Sequence, residues 1–314
     1  MNRGNYHMRY RQSVYRRRRI RTVLIASGII IVALLLLFLL LGNLFFNKMQ
    51  ESPEEPKRTE TPQVETPMPF EAVRHVQAPI LSLTESSSKI YDRLHALHEE
   101  GYTAVSVPLT DANGVLSYHS TVAANGDYTV KGSSSLSLSR LIENAHEDGT
   151  YLCGSYVLSA IHEDDALTRS VLLAESAAVI AEAFLDGMDD VVIIVPALPT
   201  DRYDEMIRFA ESIKSFAPKA VIGLGLPEAE VATPDATRID ELAKSFDFLA
   251  LDLRDDTESD PVSVAESRMG AMLYYLLRYQ MRVMLPSVAD ADTQAKLITA
   301  VQNESIDNWM MIQP

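Results

Sequence analysis

The chain has 314 residues, 47% hydrophobic and 23% charged, with a formal net charge of −15 and a single cysteine. One cysteine excludes an internal disulfide, and a chain of this length and apolar content can bury a core large enough to do without one. The charge is split: the first fifty residues hold nine basic residues and no acid, while the remainder holds 19 basic residues against all 43 acids, a net of −24, which argues against that remainder binding nucleic acid or anionic wall polymers directly.

In chain order, residues 1–22 form a basic segment that includes Arg16, Arg17, Arg18, Arg19 and Arg21. Residues 23–41 follow with no charge over 19 positions, about one hydrocarbon core in length at roughly 1.5 Å of helical rise per residue. The run is longer than the roughly 7–15 residues of a signal-peptide apolar region. Its exit, GNLFFNKMQ, also lacks a small-residue cleavage pattern. The reading is an uncleaved transmembrane signal-anchor over residues 23–46. The arginine cluster then places the N-terminus in the cytoplasm and the rest of the chain outside the cell membrane. Residues 47–74 read as a disordered linker: QESPEEPKRTETPQVETPMPF carries five prolines and few large apolar residues, so it cannot bury a core and stays extended.

Residues 75–314 show a repeating pattern. Short runs rich in Val, Ile and Leu fall at 76–83, 103–110, 151–159, 191–198, 220–227, 247–254, 282–288 and 308–314. Between them lie seven amphipathic stretches with apolar residues three and four apart, closed by Gly, Pro or polar turns. Eight strands alternating with seven helices predict an α/β fold, a (β/α)8 TIM-type barrel lacking the last helix. The barrel gap at that place is expected to be covered by the linker end or by a partner. The rival open sheet expects a glycine-rich phosphate turn after its first strand, and TESSSK provides none. After the second strand, DANGVLSYHSTVAANGDYTVKG alternates between two Asn-Gly turns and reads as a β-hairpin insert over the barrel mouth. Cys153, in YLCGSYVL, reads as a small buried hydrophobe.

Four stretches carry a resemblance: GYTAVSVPLTDANGVLSYHS, HEDGTYLCGSYVL, GMDDVVIIVPALP and NWMMIQP. They are similar to the second, third, fourth and last strands of a bacterial glycosyl-hydrolase barrel family related to chitinase- and amylase-type barrels. The resemblance covers residues 86–314, and its spacing matches without gaps at the second and fourth strands. It implies a glycosidase-like barrel and carries over scaffold positions such as Gly114, Tyr118, Gly149, Gly187, Asp189 and Trp309. The family's strand-end polar residues do not carry over. Its fourth-strand Asp, Tyr and Arg fall on Ile194, Val195 and Ala197, its second-strand Asp and Lys on Pro108 and Thr110, and its third-strand Arg on Ser155; of these strand ends only Asp111 is kept.

Glycoside hydrolysis needs two carboxyl groups flanking the scissile bond, about 5–10 Å apart. The catalytic candidates, should the chain be active, are Asp252, Glu228 and Asp111; Asp252 interrupts the apolar run FLALDL and is either a mouth-facing acid or a structural carboxylate paired with Arg254. Other strand-end acids, Glu85, Glu163, Asp164, Asp165, Glu230 and Asp256, read as solvated or capping groups, and Asp235 and Asp290 as helix N-caps. Ligand-binding candidates are Tyr118, His162, Arg254 and Asp255. His95 and His98 read as solvent-side residues of one helix. No cofactor and no metal are expected; the partner is a glycan or an envelope protein, with the membrane engaged through residues 23–46. Three functions are in view: a non-catalytic binding barrel, an active glycoside hydrolase using shifted carboxylates, and an interaction protein docking at the gap left by the last helix.

Overall fold

The alternation of apolar runs and amphipathic stretches folds into a ring of parallel strands wrapped by helices. The computed structural model describes residues 74–122, 136–226, 235–254, 260–286, 288 and 290–313. The span 23–46, nearly all of the linker, the second half of the insert and the candidates Glu228, Glu230, Asp255 and Asp256 lie outside the described residues. Among the described residues no helix is long and apolar enough to cross a membrane.

The strands are β1 (Val76–Pro79), β2 (Ala104–Pro108), β3 (Tyr151–Val157), β4 (Asp190–Ile194), β5 (Ile222–Leu226), β6 (Phe248–Asp252), β7 (Arg282–Pro286) and β8 (Trp309–Gln313). The helices between them are α1 (Ser87–Glu99), α2 (Leu138–Glu147), α3 (Ala166–Leu185), α4 (Tyr203–Phe216), α5 (Ala236–Ser245), α6 (Pro261–Tyr279) and α7 (Ala291–Asn303). All eight strands lie in one parallel sheet, in which β1 pairs directly with β8. The ring closes through a parallel bridge from Ile80 to Ser106, where the Leu81 amide donates to the Ser106 carbonyl at 2.9 Å.

Strand residues alternate between two apolar layers. One parity packs against the helices in the larger core; the other fills the lumen with Ala78, Tyr151, Cys153, Val192, Phe248 and Met284 among others. Burial on both faces is why the strands read as continuous apolar runs. Helix starts follow the expected chemistry: Asp165, Asp235 and Asp290 each accept from amides two or three residues on. Asp235 and Asp290 are thus the N-caps the sequence predicts, and Asp165 serves the same end.

The insert departs from expectation in its first half. The chain reverses tightly after β2, with Thr110 bridging Leu116 antiparallel. It then leaves the mouth and runs along α3: the Tyr118 hydroxyl lies 3.5 Å from the Val179 carbonyl, and the Thr121 amide donates to Glu182 at 2.8 Å. Both Ser120 and Thr121 hydroxyls also donate to Glu182. Local turn chemistry announces a reversal but does not say which surface the returning strand will find.

At the expected gap, α7 reaches over β8, where the Gln294 amide nitrogen approaches the sulfur of buried Met311 at 2.8 Å. The neighbouring outward position on β1 is Gln77, exposed and polar. None of the exposed large apolar side chains among the described residues lies on β1 or β8. Among the described residues, β1 and β8 themselves thus present no apolar docking patch.

His146 ends α2 and its Nε2 lies 3.0 Å from Asp189, whose carboxylate also accepts from the Leu152 amide at 2.8 Å. That hydrogen bond raises the His146 pKa, with burial opposing it in part. A raised histidine stabilises the fold fully below its unfolded value near 6.5 and loses that contribution as pH rises through the folded value. Denaturation of wild type and His146→Gln should therefore differ by about 1 kcal/mol at pH 5.5 and converge at pH 8.5; a gap independent of pH would show that the pair carries no charge.

Candidate functional site

The lumen has two ends of opposite character. At the N-terminal end, four strands begin with residues that meet across the barrel: Tyr151, Asp190, Phe248 and Arg282. The Arg282 guanidinium donates to Asp190 at 2.7 Å, and both side chains are 0% exposed. Tyr151 donates its hydroxyl to the same carboxylate oxygen at 2.6 Å, and Arg282 also reaches the Cys153 sulfur at 3.3 Å. The guanidinium stacks over the Phe248 ring, 4.4 Å from its centroid. Phe248 in turn lies over Gly223, where a β-carbon would fall 2.2 Å from the ring, so a glycine is required there. Burial, more than offset by Asp190, leaves Arg282 above its ordinary range. Burial and then the Asp190 charge push the Tyr151 phenol and the Cys153 thiol up, so both stay protonated. Cys153 is the buried thiol that the sequence predicts, and it doubles as an acceptor.

The C-terminal end is where barrels of this architecture carry their chemistry. Here the inward strand ends are largely apolar: Ile80, Pro108, Val157, Ile194, Gly225, Pro286 and Ile312 share the lumen parity. Asp252 is the one carboxylate at a strand end on this parity among the described residues. Its oxygens accept from Arg254 Nε at 2.8 Å and Nη2 at 2.7 Å, and the Arg254 amide adds a third bond at 3.1 Å. A bidentate guanidinium fork is the strongest partner a carboxylate finds in a protein. The fork and the amide occupy both carboxylate oxygens and fix Asp252 in place against its own strand end.

The remaining candidates are dispersed. Asp111 turns back on its own loop, accepting from the Asn113 and Val115 amides at 2.9 and 3.0 Å. Tyr118 is a correction: it is 1% exposed and sits in the core between sheet and α3, where burial and then the Glu182 charge raise its phenol well above the usual value. A side chain so enclosed packs and cannot stack on a ligand at the mouth. His162 is exposed, on the loop after β3. Glu85 is exposed beside Lys89, and His95 and His98 lie on the solvent side of α1, as predicted.

Sequence reasoning missed the loop anchors. Arg169 forks onto Glu205 at 2.7 and 3.1 Å and also donates to the Glu163 and Asp164 carbonyls at 2.6 and 3.2 Å. Arg202 donates to the Ile161 carbonyl. Two largely buried guanidinium groups thus fix the backbone of the β3–α3 loop. It also missed the Arg282–Asp190 pair. The one available signal was parity: Asp190 shares a face with Val192 and Ile194, and Arg282 with Met284.

Removing one partner of a buried ion pair leaves an uncompensated charge in a dry lumen. Arg282→Met should cost roughly 3–5 kcal/mol of unfolding free energy, and adding Asp190→Leu should restore at least half of it. Strictly additive losses in chemical denaturation would show that the two groups do not depend on one another.

Neither a protein-family model nor a curated protein sequence matches the chain. Among solved structures it is similar to the hyperthermostable endo-1,4-β-D-mannanase from Thermotoga petrophila RKU-1, with a TM-score of 0.52 and 12% identity over 76% of this chain and 88% of the mannanase. A hyperthermophilic endo-β-1,4-glucanase solved in complex with substrate gives 0.51 and 11% over 76% and 88%. Cellulose synthase subunit Z from Clostridioides difficile gives 0.50 and 9% over 76% and 92%. Identities this low speak for architecture alone: the chain has a (β/α)8 barrel fold shared with glycoside hydrolases.

Proposed function

We propose that this protein is a membrane-anchored, extracytoplasmic barrel of glycosidase-like fold that does not hydrolyse glycosidic bonds and binds glycan at the cell envelope. One observation carries the reading: the mouth of the described barrel presents a single strand-end carboxylate, and that carboxylate is clamped by Arg254. Retaining and inverting mechanisms both need a second carboxyl across the bond and one held protonated. The positions that the family resemblance would fill with polar residues are Ile194, Val195 and Ala197, which cannot transfer a proton. The net charge of −24 beyond the first fifty residues favours a neutral glycan over an anionic polymer. The uncharged run at 23–41 behind an arginine cluster supports the anchor and its orientation.

Full-length protein incubated with β-1,4-glucan, β-mannan, chitin and peptidoglycan is expected to release no reducing ends above the blank. Release that disappears in Asp252→Asn would overturn the reading in favour of an active hydrolase pairing Asp252 with Glu228 or Asp111. In cells the protein is expected to stay in the membrane pellet through an alkaline carbonate wash, and deletion of residues 1–46 with a cleavable secretion signal in their place to release it; a washed-off wild type would remove the anchor.

A further inference from the structure

We infer that the cavity on the outer flank of β3, below the Gly114 turn and beside α3, is the seat of one neutral pyranose unit of that glycan. The inference rests on the glycan-binding reading and gives it a location away from the barrel axis. The cavity holds about 330 Å3, enclosed by the post-β2 turn, the 3-10 turn Ser159–His162 and α3. That is near the lower end of small-ligand sites, roughly 300–1,000 Å3, and suits a single sugar ring. Tyr156 on its wall has outward parity and Leu172 and Ser176 belong to α3, so the space lies between sheet and helix, reaching the lumen-parity Val157 only at the strand end.

The lining combines two chemistries. Half-buried Val157, Ala160 and Leu172 supply the apolar surface, with the enclosed Tyr156 and Ser176 packed behind them, while Ser159, His162 and Glu163 supply polar groups towards the opening. Hydroxyls, an imidazole and a carboxylate beside an apolar wall match a ring with hydroxyls at its edge and C–H groups on its face. Other ligands fit less well. No Lys or Arg lines the cavity and Glu163 does, which disfavours an anion there. Among the described residues no three His, Cys, Asp or Glu side chains group as metal ligands.

The site is also held in shape. The Glu163 and Asp164 carbonyls are fixed by Arg169 and the Ile161 carbonyl by Arg202. The Glu163 carboxylate accepts from the Asp165 amide at 3.2 Å. Gly114 has φ +78°, and a β-carbon there would fall 2.4 Å from the Ser159 hydroxyl, so the turn presses on the loop as only glycine can. Preorganised loops lose little entropy on binding.

The test uses full-length protein in lipid nanodiscs, free of glycoside detergent, titrated calorimetrically with the β-1,4-linked tetrasaccharides of glucose, mannose and N-acetylglucosamine. At least one is expected to bind, and Ala160→Phe, which fills the cavity from its wall, is expected to weaken it tenfold or more. Glu163→Gln, which keeps an acceptor for the Asp165 amide and so preserves the loop, is expected to weaken it in the same direction. Binding that survives both variants overturns this site; if that binding is lost in Asp252→Asn, the glycan reading stands with its seat at the barrel mouth. Binding of none of the three tetrasaccharides to wild type removes the glycan reading and this site together.

Discussion

A guanidinium and a carboxylate face each other inside this barrel with no surface exposed to water, 2.7 Å apart. Stripping two such ions of solvent costs several kcal/mol each, and their attraction offsets it only when the geometry is good and the other polar atoms are served. The surroundings meet much of that requirement. Tyr151 supplies a second donor to Asp190, Cys153 a soft acceptor for Arg282, and Phe248 a π-face beneath the cation. Phe248 lies where it does because Gly223 leaves room for it. Positions on β3, β4, β5, β6 and β7 are thus constrained by one pair of charges.

That arrangement inverts the usual polarity of the architecture. Barrel enzymes keep the N-terminal end of the lumen for stability and spend their polar residues at the C-terminal end. Here the unshielded ionic chemistry sits at the base, and the strand ends above it are apolar or, at Asp252, neutralised by a neighbour two residues away. Polar variety survives off the axis, where the loop after β3 is pinned by Arg169 and Arg202 and carries His162 and Glu163. The strand ends and the loop after β3 are held by different contacts, so the two can vary independently.

The sequence made the frame legible and left the contacts across it obscure, for reasons that differ by residue. Eight strands and seven helices were readable because burial on both faces leaves apolar runs and burial on one face leaves three-and-four spacing. Asp235 and Asp290 were readable as caps because capping acts within three residues. The Asp252–Arg254 pairing was in view for the same local reason. Tyr118 was misplaced because the direction of the returning insert depends on α3, sixty residues on. Asp190 and Arg282 were passed over because a charge at the first position of a strand ordinarily belongs to a solvated turn. Only ring closure makes both of them interior.

The distance along the chain between those two charges has a consequence for how the protein is made. Asp190 and Arg282 are separated by 92 residues. A growing chain that has delivered β3, β4 and β5 therefore already carries the acid and has not yet met its base. A half-barrel built at that stage would bury a lone carboxylate, so it gains little by closing early. The lumen stays wettable until β7 arrives, which ties the two halves of the ring into one cooperative event and disfavours a stable partial barrel while the chain is being made.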